Sequence, residues 1–251
     1  MSIKNGIVVA IIMLFTTFQT HSQSRIIVNI PSAKTEAEYI WGTIEDINFF
    51  EEHNYQVSLP KGDLIVRLKE KSKSGQLNDS DYKNLEVFIV DSIYNVADYQ
   101  KGYDKLQNSS ALINHMINSI DDTNFQWNYK EHESYQVNLT LYGPGGSYNL
   151  EEGSILIYTT PRGKFKNYED PANTVIHEVV HIGIEESIIS KYNVPHSLKE
   201  RIVDTFVSLY FGQFLPEYKI QNMGDLRLDG FIKQVSDLNN LSKIVEQILN
   251  E

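Results

Sequence analysis

The chain has 251 residues, 33 of them acidic and 22 basic, with 41% hydrophobic content and no cysteine. That length can bury a core as one large or two small domains. The lack of thiols excludes a disulfide scaffold, an iron–sulfur protein, a Cys-ligated zinc finger and a cysteine hydrolase. A net charge of −11 speaks against nucleic acid as the main partner, because phosphate binding needs clustered positive charge, and against electrostatic adhesion to an acidic membrane.

Lys4 is followed by the uncharged run Gly6–Phe18, and the next charged residue is Arg25. A basic start, a short apolar run and a polar tail with small residues form the layout of a secretory signal peptide, expected over residues 1–24 with cleavage after Ser22 or Ser24. The run is shorter than the roughly 20 apolar residues a spanning helix needs. The mature chain is therefore expected to be secreted or periplasmic, without stable membrane insertion.

Residues 25–127 read as a mostly helical region of unknown role. Arg25–Ile30 is a short strand, Thr35–Glu52 is helical, and the polar stretch Lys69–Ser80 is a loop. A helix opens at Ser80 or Asp81, with Tyr82, Leu85, Phe88, Ile89 and Ile93 at helical spacing, and another covers Ala111–Ile120. Residues 128–251 read as the chemical half. Tyr135, Val137, Leu139 and Leu141 alternate as in a half-buried strand, Gly143-Pro-Gly-Gly146 marks a turn, and Ser154–Thr159 is the next strand. Near the end, Phe231, Val235, Leu238, Leu241, Ile244 and Ile248 form one helical stripe. The fold class is α+β, with helices in both halves and a small sheet between them. The 15 tyrosines and 11 phenylalanines read as core and rim residues, and there is no phosphate-binding loop or dinucleotide fingerprint.

Asp170-Pro171 can cap and start a helix, and within that helix stands His177-Glu178-Val179-Val180-His181. Four residues turn a helix by roughly 400°, so both imidazoles leave nearly the same face one turn apart. That spacing lets two neutral His nitrogens reach one Zn²⁺. Glu178 then lies beside the metal, placed to act as general base on a zinc-activated water. A chance HExxH is on the order of one in a hundred chains of this composition, so the motif carries weight. A catalytic zinc usually takes a third protein ligand, and Glu185, Glu186, His196 and Glu200 follow downstream. Gly183 and Ser187 do not fit a His-x-x-Gly-x-x-His extension. Glu200 comes 18 residues after His181, past the helix-breaking Asn193-Val-Pro195, with Asp204 one turn further on. Ser197-Leu-Lys-Glu200 also has the form of a capping box, which would engage Glu200 instead. His21, His53, His115 and His132 have no partner at ligand spacing.

HExxH, 18 residues, Glu and then Asp four residues later resembles the gluzincin zinc metallopeptidases. Aminopeptidases of the leukotriene-hydrolase type share that spacing, and thermolysin-like enzymes share the Glu-x-x-x-Asp pair. The resemblance covers about residues 154–210. It implies a zincin-like core, with a small mixed sheet, an active-site helix and a second ligand-bearing helix. It also implies one Zn²⁺ per chain held by His177, His181 and Glu200, with Glu178 as general base and Asp204 orienting a ligand histidine, His177 foremost. Ser154–Thr159 would be the sheet edge along which a peptide or protein substrate pairs. The Gly-x-Met-Glu-Asn signature of the exopeptidases is absent, and Lys199 stands before Glu200 where Asn is usual. Tyr210, Tyr218, His196 and Arg201 are candidates for stabilising an oxyanion. The function expected is a secreted zinc metallopeptidase. The alternatives are a non-catalytic, zinc-stabilised binding module and a zinc hydrolase of another substrate.

Overall fold

Tyr135, Val137 and Leu139 are fully buried, and the period-two pattern that places them there builds the central strand of the sheet. The structure, a computed structural model, describes residues 25–166, 168–222 and 224–251; the signal-peptide expectation falls outside them. Four strands, β1 (Arg25–Asn29), β2 (Ser134–Thr140), β3 (Gly146–Asn149) and β4 (Ser154–Tyr158), lie in the order β1-β2-β4-β3. The first three in that order are parallel, and β3 runs antiparallel to β4. The α+β reading holds, but the edge is misplaced. Ser154–Tyr158 lies inside the sheet, paired on both sides, and Gly146–Asn149 forms the rim.

The helices are α1 (Ala33–Glu45), α2 (Ile47–Glu52), α3 (Asp63–Lys73), α4 (Asp79–Phe88), α5 (Gln100–Asn118), α6 (Ala172–Ile184), α7 (His196–Phe211) and α8 (Leu241–Asn250). Ser32 caps α1 by accepting the Thr35 N–H at 3.1 Å, and Asn78 caps α4 in a capping box with Asp81. The expected loop at Lys69–Ser80 is half helix. Ile65, Leu68 and Ser72 face the core at helical spacing, which carries α3 through the charged residues to Lys73 and leaves Ser74–Asn78 as the connection. α5 starts eleven residues before the expected Ala111. The terminal stripe breaks into one 3₁₀ turn, Val235–Asn240, followed by α8, and a further 3₁₀ turn, Leu226–Gly230, precedes it. Leu238, Leu241 and Ile248 are buried, whereas Val235 is exposed.

Two apolar clusters result. The larger joins Val28, Val137, Leu139, Ile155 and Ile157 of the sheet to α5, α6, α7 and α8. The smaller is formed by Ala37, Ile40 and Ile44 of α1 with Ile65, Leu68, Leu85 and Ile89. Glu36, fully buried on α1, ties the helix to the end of β2 by accepting hydrogen bonds from Thr140 Oγ1 and the Leu141 N–H, both at 3.0 Å. No helix among the described residues is long and apolar enough to cross a membrane.

Candidate metal centre

Pro171 stands at the N-cap of α6, one residue later than expected, and Asp170 before it accepts the Ala172 N–H and the Ser109 hydroxyl with Oδ1, both at 2.9 Å, tying the start of α6 to α5. Gly183 on α6 leaves room for the buried Tyr129 ring, which a Cβ at that position would strike. His177 and His181 leave α6 one turn apart, and their Nε2 atoms converge to 3.1 Å. The helix then loosens into a π-turn over Glu185–Ser190, a distortion often found beside functional sites. Asn193 at φ +50° and Pro195 end that segment, and α7 packs back against α6. Glu200, the fifth residue of α7, places Oε2 3.5 Å from His177 Nε2 and Oε1 3.4 Å from His181 Nε2.

These three side chains form the group among the described residues that could hold a metal ion. Tetrahedral zinc with bonds of 2.0–2.2 Å sets its ligand atoms about 3.3–3.6 Å apart. The observed 3.4 and 3.5 Å fall within that range and the 3.1 Å between the two nitrogens lies slightly below it, and two nitrogens with one carboxylate suit Zn²⁺. α7 has no side-chain bond at its N-cap, Pro195, and Glu200 is turned towards the imidazoles instead.

Behind His177 lies a relay. With Nε2 turned to the metal point, Nδ1 carries the proton and donates to Tyr218 Oη at 2.7 Å; the Tyr218 hydroxyl donates to Asp204 Oδ1 at 2.7 Å. Asp204 Oδ2 accepts the Gln221 N–H at 2.6 Å. Asp204 is 3.5 Å from His177 Nδ1, so the phenol carries the shorter contact. Tyr218, a candidate oxyanion donor from the sequence, is thereby engaged behind the site. Tyr210 bonds the Asp121 N–H at 2.7 Å, and Arg201 Nε pairs with Asp229 at 2.7 Å. His196 lies beside the cluster, with Nδ1 3.8 Å from Glu200 Oε1 and Nε2 2.9 Å from the Tyr55 hydroxyl. Glu185 accepts the Tyr148 hydroxyl at 2.6 Å, and the Tyr148 ring stacks on His181 at 5.0 Å. Of the remaining histidines, His53 and His115 meet aromatic rings and His132 meets the Leu150 carbonyl; His21 falls outside the described residues.

Burial pushes the Glu178 carboxyl up to about 7, with His177 opposing the rise. Desolvation works to lower His177, but the carboxylates of Asp204 and Glu200 outweigh it and hold the imidazole well above its ordinary value. His181 is drawn down to about 4, chiefly by desolvation. Desolvation would raise Glu200, yet its hydrogen bonds to the two imidazoles hold it far below the usual carboxylate range. In the absence of metal the cluster therefore binds Glu200 as an anion between two nitrogens.

The cluster opens into a cleft of about 1180 Å³, walled by α1 and α2 on one side and by β3, α6 and α7 on the other. Tyr55, Gly146, Tyr148, Lys166 and Tyr168 line it together with the cluster residues. None of these five stood out in the sequence as a site residue, because each reaches the cleft only through tertiary packing. Gly146 alone carried a signal, the glycine turn, and that read as a connection. The chain matches no known family, no curated protein and no solved structure in these comparisons, so the site's geometry has to bear the functional argument.

Proposed function

We propose that the protein is a zinc-dependent hydrolase working outside the cytoplasm, a peptidase of the gluzincin type. The observation that carries this reading is the triangle of His177, His181 and Glu200, a three-donor set facing a cleft with the Glu178 carboxylate on the same helix. A structural zinc site is closed by four protein ligands, whereas a catalytic one has three and an open position. The only donor group of this kind among the described residues has three members.

Zn²⁺ held there supplies a Lewis acid that polarises a carbonyl and brings the pKa of water towards about 7. Glu178, buried and with a carboxyl near neutrality, is suited to proton transfer in both directions. It orients the attacking water and takes one of its protons as the oxygen adds to the amide carbon. It then returns that proton to the leaving nitrogen as the C–N bond breaks, which leaves an acid and an amine with no net change in protonation. Tyr218 and Asp204 hold the imidazole of His177 in one orientation, and Tyr148 does so for His181 by stacking. An extended substrate would add to the sheet along β3, the antiparallel rim.

The test is the metal content of the purified chain beside Glu200→Ala and Glu178→Gln, with peptide hydrolysis measured on each. We expect about one zinc per chain in the wild type, little in Glu200→Ala, and full zinc without turnover in Glu178→Gln. Zinc retained by Glu200→Ala would remove Glu200 from the ligand set. A Glu178→Gln variant with undiminished hydrolysis would remove the general base. Stoichiometric zinc with no hydrolysis by the wild type would point to a stabilising metal in a binding module.

A further inference from the structure

The cleft is closed between two of its walls. After α2, Asn54 at φ +58° turns the chain, and residues 54–58 cross to the glycine turn before β3. There Ser58 and Gly143 exchange backbone hydrogen bonds at 3.0 and 2.8 Å. Lys166 completes the closure, its Nζ donating to the Gln56 carbonyl at 2.7 Å and to the Pro144 carbonyl. Two of its three N–H donors are thus spent, and the side chain lines the cleft.

Among the described residues no carboxylate ion-pairs with Lys166. Glu38 and Asp46 line the same cleft from exposed positions, and neither reaches it. Lys199, the other ammonium in the cleft, lies 3.5 Å from the Tyr148 hydroxyl that itself bonds Glu185, an indirect connection to a carboxylate; the two bonds of Lys166 go to backbone carbonyls instead. Desolvation lowers the pKa of Lys166 with no acidic neighbour to offset it.

The glycine turn fixes how far this cation stands from the chemistry. A Cβ on Gly145 would lie 3.9 Å from Lys166 Nζ, and a Cβ on the next residue, Gly146, would collide with Glu178 Oε1. Consecutive Cα atoms are 3.8 Å apart, so ammonium and general base are no more than roughly 13 Å apart, a distance spanned by at most about four extended residues.

We propose that Lys166 is a carboxylate-binding subsite, and that the enzyme prefers peptides bearing a carboxylate within about four residues of the scissile bond. This rests on the hydrolase reading above and narrows its substrate class. A terminal carboxylate meets both features of the closed end, because the chain has to stop where residues 54–58 cross and because the cation there lacks a counter-charge. An acidic side chain offers the same group without the stop.

The experiment compares three peptides of one sequence on the zinc-loaded protein: a free C-terminal acid, its C-terminal amide, and an amide carrying Asp near its end. Cleavage by the wild type should favour the free acid over the amide by at least tenfold in kcat/KM. Lys166→Met should bring that ratio near one, and Lys166→Arg should restore it. The conservative variant separates recognition from a merely structural effect, since both substitutions disturb the same two carbonyl contacts. Preference for the Asp-bearing amide alone would keep the carboxylate subsite and assign it to a side chain. Equal cleavage of all three would overturn the proposal while leaving the hydrolase reading intact. If none is cleaved, the hydrolase reading fails. Calorimetric binding of the same peptides then decides on Lys166, because tighter binding of the free acid that Lys166→Met abolishes would retain the subsite. Equal binding would remove it.

Discussion

Tyr218 illustrates how much one side chain can decide at a metal site. Its oxygen receives the Nδ1–H of His177, and its own proton goes to Asp204. The phenol therefore fixes the tautomer in which Nε2 faces the metal point. Partners of this kind typically contribute 10–100-fold to metal affinity. Asp204→Ala, which removes the acceptor and leaves the phenol unanchored, is expected to weaken zinc binding by about that factor while the fold persists. A competition titration with a chelating dye measures this, and unchanged affinity would show the relay to be incidental. Glu36 is decisive in a different sense. Burial raises its carboxyl above the ordinary 4.5, opposed by the Leu141 amide and by Tyr99 and Thr140. Between pH 4.5 and that higher value the folded chain keeps a proton that the unfolded chain has released. The contribution is complete below 4.5 and is lost as pH rises through the folded value. Stability should therefore fall with rising pH across that window, and Glu36→Gln should flatten the slope. Denaturant melts at several pH values test it; a slope unchanged in the variant would locate the proton elsewhere.

At the scale of elements, the approach of β3 to α6 sets the geometry of the site. The backbone at Gly146 lies so near Glu178 that any side chain there would strike its carboxylate and Thr174. Gly146→Ala should thus push Glu178 aside while His177, His181 and Glu200 on α6 and α7 stay in place. Displacements near 1 Å can cost about 10²-fold in rate. We expect a loss of about that size in kcat with near-stoichiometric zinc, and full activity would mean that the strand yields instead. The sequence pointed to α6 and α7, because HExxH is read along one helix and the 18-residue interval then reaches the next helix across a visible break at Asn193–Pro195. It did not show β3. The four residues Gly-Ser-Tyr-Asn have little apolar alternation, since an edge strand facing a cleft buries little, and the apolar Ser154–Tyr158 looked the better edge for want of any sign of its second partner. α3 was hidden for a related reason. Its exposed face carries the Lys and Glu residues that make Lys69–Lys73 look like loop, while only Ile65, Leu68 and Ser72 are buried. Tyr218 and Lys166 lie beyond any sequence spacing, because their roles depend on loops folding back onto α6 and onto the glycine turn.

The molecule as a whole joins two apolar clusters, and the candidate metal-binding residues stand on helices packed in only one of them. His177 and His181 come from α6 and Glu200 from α7, both packed in the larger cluster. Without metal, the carboxylate of Glu200 is buried with the His181 imidazole, and the half-buried His177 imidazole lies against it, an arrangement whose desolvation is only partly repaid by its hydrogen bonds. A cation at that point binds the folded chain alone, since the unfolded chain has no such triangle, and so it shifts the unfolding equilibrium by mass action. With free zinc a thousandfold above its Kd the gain is about 4 kcal/mol. For a chain of this size each kcal/mol moves Tm by roughly 2–4 °C, so thermal melts with zinc and with a chelator should differ by about 10 °C. Glu200→Ala should melt at nearly the same temperature in both. Equal melting of the wild type in both conditions, despite stoichiometric zinc, would mean that the metal binds the unfolded chain as well or sits away from α6 and α7. The smaller cluster of α1, α3 and α4 contains none of the three candidate metal-binding residues, and it meets the rest of the molecule through Glu36 and through Tyr94, which packs against both clusters. Proteolysis of the zinc-loaded chain should consequently protect α6 and α7 more than α3 and α4, whereas uniform protection would show that the two clusters unfold as one unit.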